Sequence, residues 1–487
     1  MGVTLYISRV VLDVLGVDDF GLYNLVMGVV ILFSFFNGTM TATTQRFINV
    51  EKASNELTRV NKIFNLSLLN HVFIVFIVVI LAETVGLWFL NQKLNIPLER
   101  MEAANQVYQI ALLITLIEVL KVPFNAMIVA YERMVFFAWL GLVETLLKLL
   151  AVFVLLNLNG YDKLVSYSLL LLLVSLTVFS FYFIYCKRIF KVETRFHRYK
   201  DFNKTKELVS FSGWMLVGQA AVVAATQGLS MVANLFFGVA VNAAIGIANQ
   251  VDAAVYSFVS NFQVAFNPQL VQTYANKEYE RNQKLILNTS KYSFYLMAIL
   301  SAPVLYFCHT LLHFWLGDNL PMQAEQLVQA IILCSLVNAM AGSFWMTAMA
   351  IGANSVKEYN IVLTLINLCT LPLAYYLFTL GFSPVYAFVA KFVIVVLMQL
   401  FRLYFINKRI QFKRQQFLGY LLNIALIFAF ILALIYLADL QRLYSLTEFV
   451  LQSAVIELAL LLSILLFGLS KAEKDFLINF LIRRVKR

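Results

Sequence analysis

Charge is scarce in this chain. Only 13% of its 487 residues are Asp, Glu, Lys or Arg, while 61% are hydrophobic; a soluble globular protein carries about 25% charge. Apolar runs of about 20 residues, the length that crosses a bilayer core, recur almost end to end. They leave no room for a soluble domain. The four cysteines, Cys186, Cys308, Cys334 and Cys369, lie in or beside apolar runs without a CxxC pair, so neither a disulfide framework nor a zinc site follows. P-loop, GxSxG and HExxH motifs are missing, and a glycosyltransferase would need a soluble sugar-nucleotide domain. No enzyme is expected. Arg9, Asp18 and Asp19 stand where a signal peptide needs an unbroken apolar core and a small-residue cleavage site. The net charge of +11 falls in short loops between spans, which points to membrane topology rather than to nucleic acid.

What is present is an all-α polytopic membrane protein of about fourteen spans. Spans 1–6 cover about 1–15, 20–44, 63–90, 105–130, 134–156 and 164–185. The segment Cys186 to Lys206, with eight basic residues and no apolar run long enough to bury, reads as a cytoplasmic linker. Spans 7–12 cover about 208–237, 242–274, 292–316, 324–353, 356–380 and 384–406; two more, 416–438 and 446–468, precede a basic tail. The organisation is therefore an N-terminal lobe (1–186), a linker (187–207), a C-terminal lobe (208–407) and a two-helix extension (408–487). Loops after even-numbered spans and the tail hold 29 of the 37 Lys and Arg, against four in the opposite set. That bias places the linker and both termini in the cytoplasm.

The halves echo one another at an offset of 222 to 224 residues. Gly16-Val17 matches Gly238-Val239, Gln45 matches Gln269, and Ala126-Met127 matches Ala348-Met349, each at the corresponding topological place. Six spans per half is even, so the repeats share one orientation, a design found in alternating-access transporters that hold substrate between halves.

Ionisable residues inside spans are costly and mark function or a partner. Glu144 and Lys148, Glu118 and Lys121, and Arg9 and Asp13 have helical spacing for mutual neutralisation, the bland reading for all three. Lys391 and Asp252 lack a local partner; they pair across the bundle, or Lys391 snorkels outward. The functional reading gathers Arg9, Lys121, Lys148 and Lys391 around a cavity that binds a polyanion such as a pyrophosphate. Asp252 is then the candidate site for a coupling H+ or Na+, and Pro123, Pro268, Pro303 and Pro372 are candidate hinges. Arg46 reads equally as an interface anchor. His309 and His313 have a metal-compatible spacing, but no acidic neighbour in sequence, and read as an interfacial pair.

The runs Ser8 to Ile48, Val122 to Met134 (VPFNAMIVAYERM) and Gly238 to Val251 (GVAVNAAIGIANQV) resemble bacterial polysaccharide-biosynthesis membrane proteins. These are Wzx-type O-antigen flippases, similar in fold to lipid II flippases and MATE transporters of the MOP superfamily. The resemblance implies flipping of an undecaprenyl-pyrophosphate-linked oligosaccharide to the periplasmic face of the bacterial inner membrane. It also implies a two-lobed, V-shaped fold with a cationic cavity. Arg9 and Arg46 fall within the matching stretches. Family members carry more chain before the Ser8-Arg9 pair, so the resemblance implies either a start placed at an internal Met or a truncated span 1. The implied partners are the lipid-linked glycan, the bilayer and a polysaccharide polymerase with its chain-length machinery. No cofactor is expected beyond a coupling ion. A MATE-type small-molecule antiporter and a non-transporting scaffold for glycan polymerisation are the competing readings.

Overall fold

A computed structural model describes residues 2–32, 36–52, 56–158, 160–199, 201–317, 319–437, 444–470 and 473–474. These residues form helices and no strands, because a spanning segment in hydrocarbon must satisfy its own backbone. The helices are α1 (Gly2–Ile31), α2 (Phe36–Lys52), α3 (Leu57–Leu81), α4 (Leu87–Gln92), α5 (Met101–Ala130), α6 (Met134–Asn157) and α7 (Lys163–Ile189). There follow α8 (Phe202–Phe237), α9 (Val239–Ala275), α10 (Tyr279–Tyr306), α11 (Cys308–Leu316), α12 (Ala324–Asn338) and α13 (Ala341–Ile351). The last are α14 (Ala353–Leu368), α15 (Thr370–Thr379), α16 (Pro384–Ile410), α17 (Arg414–Leu437) and α18 (Leu446–Ser463). Among the described residues, eleven spans are long and apolar enough to cross a membrane, or twelve when α10 and α11, bent by 76°, count as one. The fourteen-span reading differs at two places: α1 joins predicted span 1 to the first part of span 2 across Gly16, the end of span 2 falling in α2, and α9 carries too many polar residues to qualify on apolarity.

The chain divides into two compact units, residues 1–246 with 367–384, and residues 247–366 with 385–487. The first unit takes in the linker, α8, the start of α9 and α15, so packing groups them differently from the sequence repeat. Its core gathers Val26, Val78, Val107 and Tyr108 in one cluster and Phe64, Phe124, Met127 and Cys186 in another. Between α3 and α4 runs a π turn, Ala82–Gly86; the Tyr108 hydroxyl donates to the Ala82 carbonyl at 2.8 Å, which helps to fix the bulge. Arg100 clamps three helices at one end of this unit. Its guanidinium donates to both Asp19 oxygens, at 2.8 and 2.6 Å, and to Asp162 at 2.6 Å, while Asp162 also caps α7 through Val165 N–H. Burial alone would raise the Asp162 pKa, but the Arg100 hydrogen bond and the α7 backbone hold it below its ordinary value.

The basic linker departs from its expected solvation. Phe190, Glu193 and Thr194 are buried. The Asn61 amide donates to the carbonyls of Val192, Glu193 and Arg195, at 2.7 to 2.9 Å, and Asn65 donates to Arg195. Two α3 side chains thus supply the donors that an irregular backbone needs once it leaves water. The linker ends at Asp201, which caps α8 through Lys204 N–H and pairs with Lys62 at 2.6 Å.

Gly16 and Gly238 adopt nearly the same backbone conformation, φ 74° with ψ 173° and φ 74° with ψ −167°. That region is open essentially to glycine alone. The two positions matched in sequence are matched in geometry, each a joint between two helical segments.

The second unit packs Leu270, Ile286, Phe344, Tyr359 and Ile406 at its core. Its α10 begins at Tyr279, so Arg281, Lys284 and Lys291, which lie between predicted spans 8 and 9, are helical. Amphipathic side chains can reach the interface from a helix, and hydropathy alone does not separate that case from a loop.

Candidate functional site

In the first unit, α5, α6 and α7 bring four charges together. Lys121 pairs with Glu118 at 2.5 Å, and Lys148 with Glu144 at 2.6 Å. Lys121 also lies within Coulombic range of Glu144, and its ammonium is 5.6 Å from the Tyr182 ring centroid. Ser175 of α7 lies beside Glu118 at 3.5 Å. The neutralising arrangement allowed by the i,i+3 and i,i+4 spacings is present for both pairs. The Lys121 side chain is 15% exposed but Lys148 is 44% exposed. An ion pair this open within an apolar span is costly against lipid, so α6 presents a face suited to a polar neighbour. Arg9 is on an exposed side of α1. The Arg46 side chain lies outside the described residues.

In the second unit, Asp252 of α9 meets Ser335 of α12 and lies within Coulombic range of Lys391 of α16. One carboxylate oxygen, Oδ1, is buried without a hydrogen bond. The Lys391 ammonium lies 5.8 Å from the Phe388 ring centroid. One turn beyond Asp252, Tyr256 senses the charges of both Asp252 and Arg402. Arg402 is only 8% exposed, donates to Gln399 at 3.3 Å and lies beside the Tyr359 hydroxyl; its Nε has no partner. None of the described carboxylates forms an ion pair with it. A buried guanidinium left in this state favours an anion. Arg402 is the residue that sequence reasoning missed, because it falls near the end of predicted span 12 and counts there among the topology-setting basic residues. The available signal was its register: Lys391 and Arg402 are eleven residues apart, three turns on one helix.

The proline positions differ among themselves. Pro123, Pro268 and Pro303 lie within α5, α9 and α10. Pro372 stands in the first turn of α15, just after the break at Cys369, where its missing N–H is tolerated. The 76° bend between α10 and α11 falls one turn after Pro303. His309 does have an acidic partner, contrary to its sequence neighbourhood: Glu325 of α12 lies 2.7 Å from Nδ1. His313 is 6.2 Å from His309 between ring centroids. No group of three or more potential ligands is placed to hold a metal among the described residues.

No family model and no curated protein sequence matches this chain. Solved structures do resemble it. An inward-facing multidrug-resistance MATE transporter of the MOP superfamily aligns with a TM-score of 0.67 and 16% identity, covering 84% of this chain and 94% of its own. The lipid II flippase MurJ, in an inward closed conformation, aligns with a TM-score of 0.67 and 14% identity, covering 94% of this chain and 95% of its own. A MOP transporter from Pyrococcus furiosus, described as having a binding pocket of reversed polarity, aligns at 0.55 with 14% identity, covering 82% and 88%. The chain is a polytopic membrane protein with the fold of the MOP superfamily transporters.

Proposed function

We propose that this protein flips an undecaprenyl-pyrophosphate-linked oligosaccharide, a precursor of O-antigen or another surface polysaccharide, across the bacterial inner membrane by alternating access. The observation that carries the reading is Arg402, a buried guanidinium without a partner among the described carboxylates, on the same helix as Lys391. Two cations against one acid, Asp252, suit a pyrophosphate better than an organic cation. Coverage adds support: the flippase alignment extends over 94% of the chain and the MATE alignment over 84%. Lys391 and Arg402 grip the pyrophosphate oxygens through charge-assisted hydrogen bonds. Lys121 and Lys148, with Arg9 and Arg46, furnish further positive charge along its path. Asp252 takes the coupling H+ or Na+, and the proline breaks accommodate the exchange of states. Both termini and the linker face the cytoplasm, and a glycan polymerase receives the product.

Loss of the gene is expected to accumulate polyprenyl-pyrophosphate oligosaccharide in lipid extracts while surface glycan disappears. Lys391→Ala and Arg402→Gln should reproduce that phenotype at normal protein level. Wild-type surface glycan in both single variants and in the double would remove the cationic site. A MATE-type antiporter is the second reading, favoured by the unbonded Asp252 oxygen, which suits a cation. It predicts sensitivity to cationic dyes without accumulation of the lipid intermediate.

A further inference from the structure

At one end of the second unit, the starts of α10 and α17 and the chain after α18 enclose a pocket of about 510 Å³. Lys284, Asn288 and Lys291 line it from one face of α10, and Gln415, Gln416 and Asn423 line it from α17. Lys291 is 6% exposed and holds both oxygens of Glu473 at 2.8 Å. Glu473 also accepts from the Tyr292 hydroxyl and from Ser470 N–H at 2.7 Å. The pocket wall therefore already holds one anion, a carboxylate supplied by the chain itself. The Asn423 amide donates to the Gly468 carbonyl at 3.0 Å, and the other donors are uncommitted. Lys284 forms no ion pair with a described carboxylate, its nearest acid on α10, Glu280, being paired with Lys413 at 2.8 Å and only within Coulombic range of Lys284. The amides of Asn288, Gln415 and Gln416 hydrogen-bond to none of the described residues.

We infer that this pocket binds the phosphate of an anionic phospholipid headgroup. An ammonium and three amides with no hydrogen-bond or ion-pair partner among the described residues suit a ligand with several acceptor oxygens. Basic pockets between membrane helices on the cytoplasmic side take such headgroups, and the distribution of Lys and Arg assigns this end to that side. A lipid fits better than free phosphate because the pocket lining is more apolar than polar. Leu287 and Tyr420 line it, while Leu422, one residue before Asn423, and Leu466 and Phe467, which precede Ser470 in the chain, are exposed. Glu473 competes with the headgroup for Lys291.

The full-length protein in detergent is titrated with phosphatidylglycerol or with phosphatidylcholine of the same acyl chains, and retained lipid is counted by native mass spectrometry. The expected result is retention of phosphatidylglycerol about fivefold better than phosphatidylcholine. Lys284→Gln, a change at an exposed position, should abolish the preference, and Glu473→Gln should increase it. Equal retention of the two lipids, or a Lys284→Gln variant that keeps the preference, would overturn the site. Complete displacement of phosphatidylglycerol by inorganic phosphate at equal concentration would overturn the lipid assignment in favour of a small-anion site.

Discussion

At the residue scale, the question is whether a buried cation serves the fold or a ligand, and the first unit provides a clean separation. Lys121→Ala leaves Glu118 without its partner, at a cost of about 1–3 kcal/mol. If Lys121 only neutralises Glu118, the Lys121→Ala/Glu118→Gln double variant recovers both stability and surface glycan. If Lys121 contacts substrate, the double variant regains its thermal midpoint yet still accumulates the lipid intermediate. We expect the second outcome. Sequence revealed Lys121, Lys148 and Lys391 because each interrupts an apolar run. It did not reveal Arg402, because hydropathy reports depth along a helix and not what lies across from a side chain. The Glu325 partner of His309 and the Glu473 partner of Lys291 were hidden for the same reason: contacts across 16 and 182 residues leave no local trace.

At the element scale, the joints at Gly16 and Gly238 carry the strongest link between sequence and structure. A Cβ at either position meets a backbone conformation that side-chain-bearing residues rarely adopt, so Gly238→Ala should cost about 1–3 kcal/mol. Gly141→Ala, in a regular stretch of α6 with nothing within 4 Å of the added Cβ, should be neutral or stabilising by about 0.4–1 kcal/mol. Thermal midpoints in detergent test both, and equal midpoints for the two variants would contradict the assignment of Gly238 as a strained joint. The start of α8 depends on pH. The Lys204 backbone N–H, and then the Lys62 side chain, hold the Asp201 carboxyl below its ordinary value. A lowered carboxyl pKa stabilises the fold above the ordinary value of about 3.9 and loses that contribution as pH falls through the lowered one. Asp201→Asn should therefore melt below wild type at pH 7, with the gap closing under acid conditions. The linker was legible as a charged segment between apolar runs, but its docking was not, since Asn61 and Asn65 carry no hydropathy signal.

At the scale of the whole molecule, the repeat and the packing partition the chain differently. The repeat was readable because glycine, glutamine and small residues recur at a common offset. The packed units were not, since nothing in a local pattern tells a helix which neighbour it will bury. Here α8, which follows the linker, packs against α1, α2 and α3 of the first unit. The covalent connection is thus not what keeps α8 with the N-terminal helices; burial against them does that. A consequence follows for the continuity of the polypeptide itself. Two separately translated pieces, 1–199 and 200–487, should find one another in the membrane and complement a strain lacking the intact gene, with neither piece sufficient alone. Trypsin cutting within the linker should likewise leave the N-terminal fragment co-purifying with an affinity tag on the other, so that a nick visible on a denaturing gel goes unnoticed in detergent.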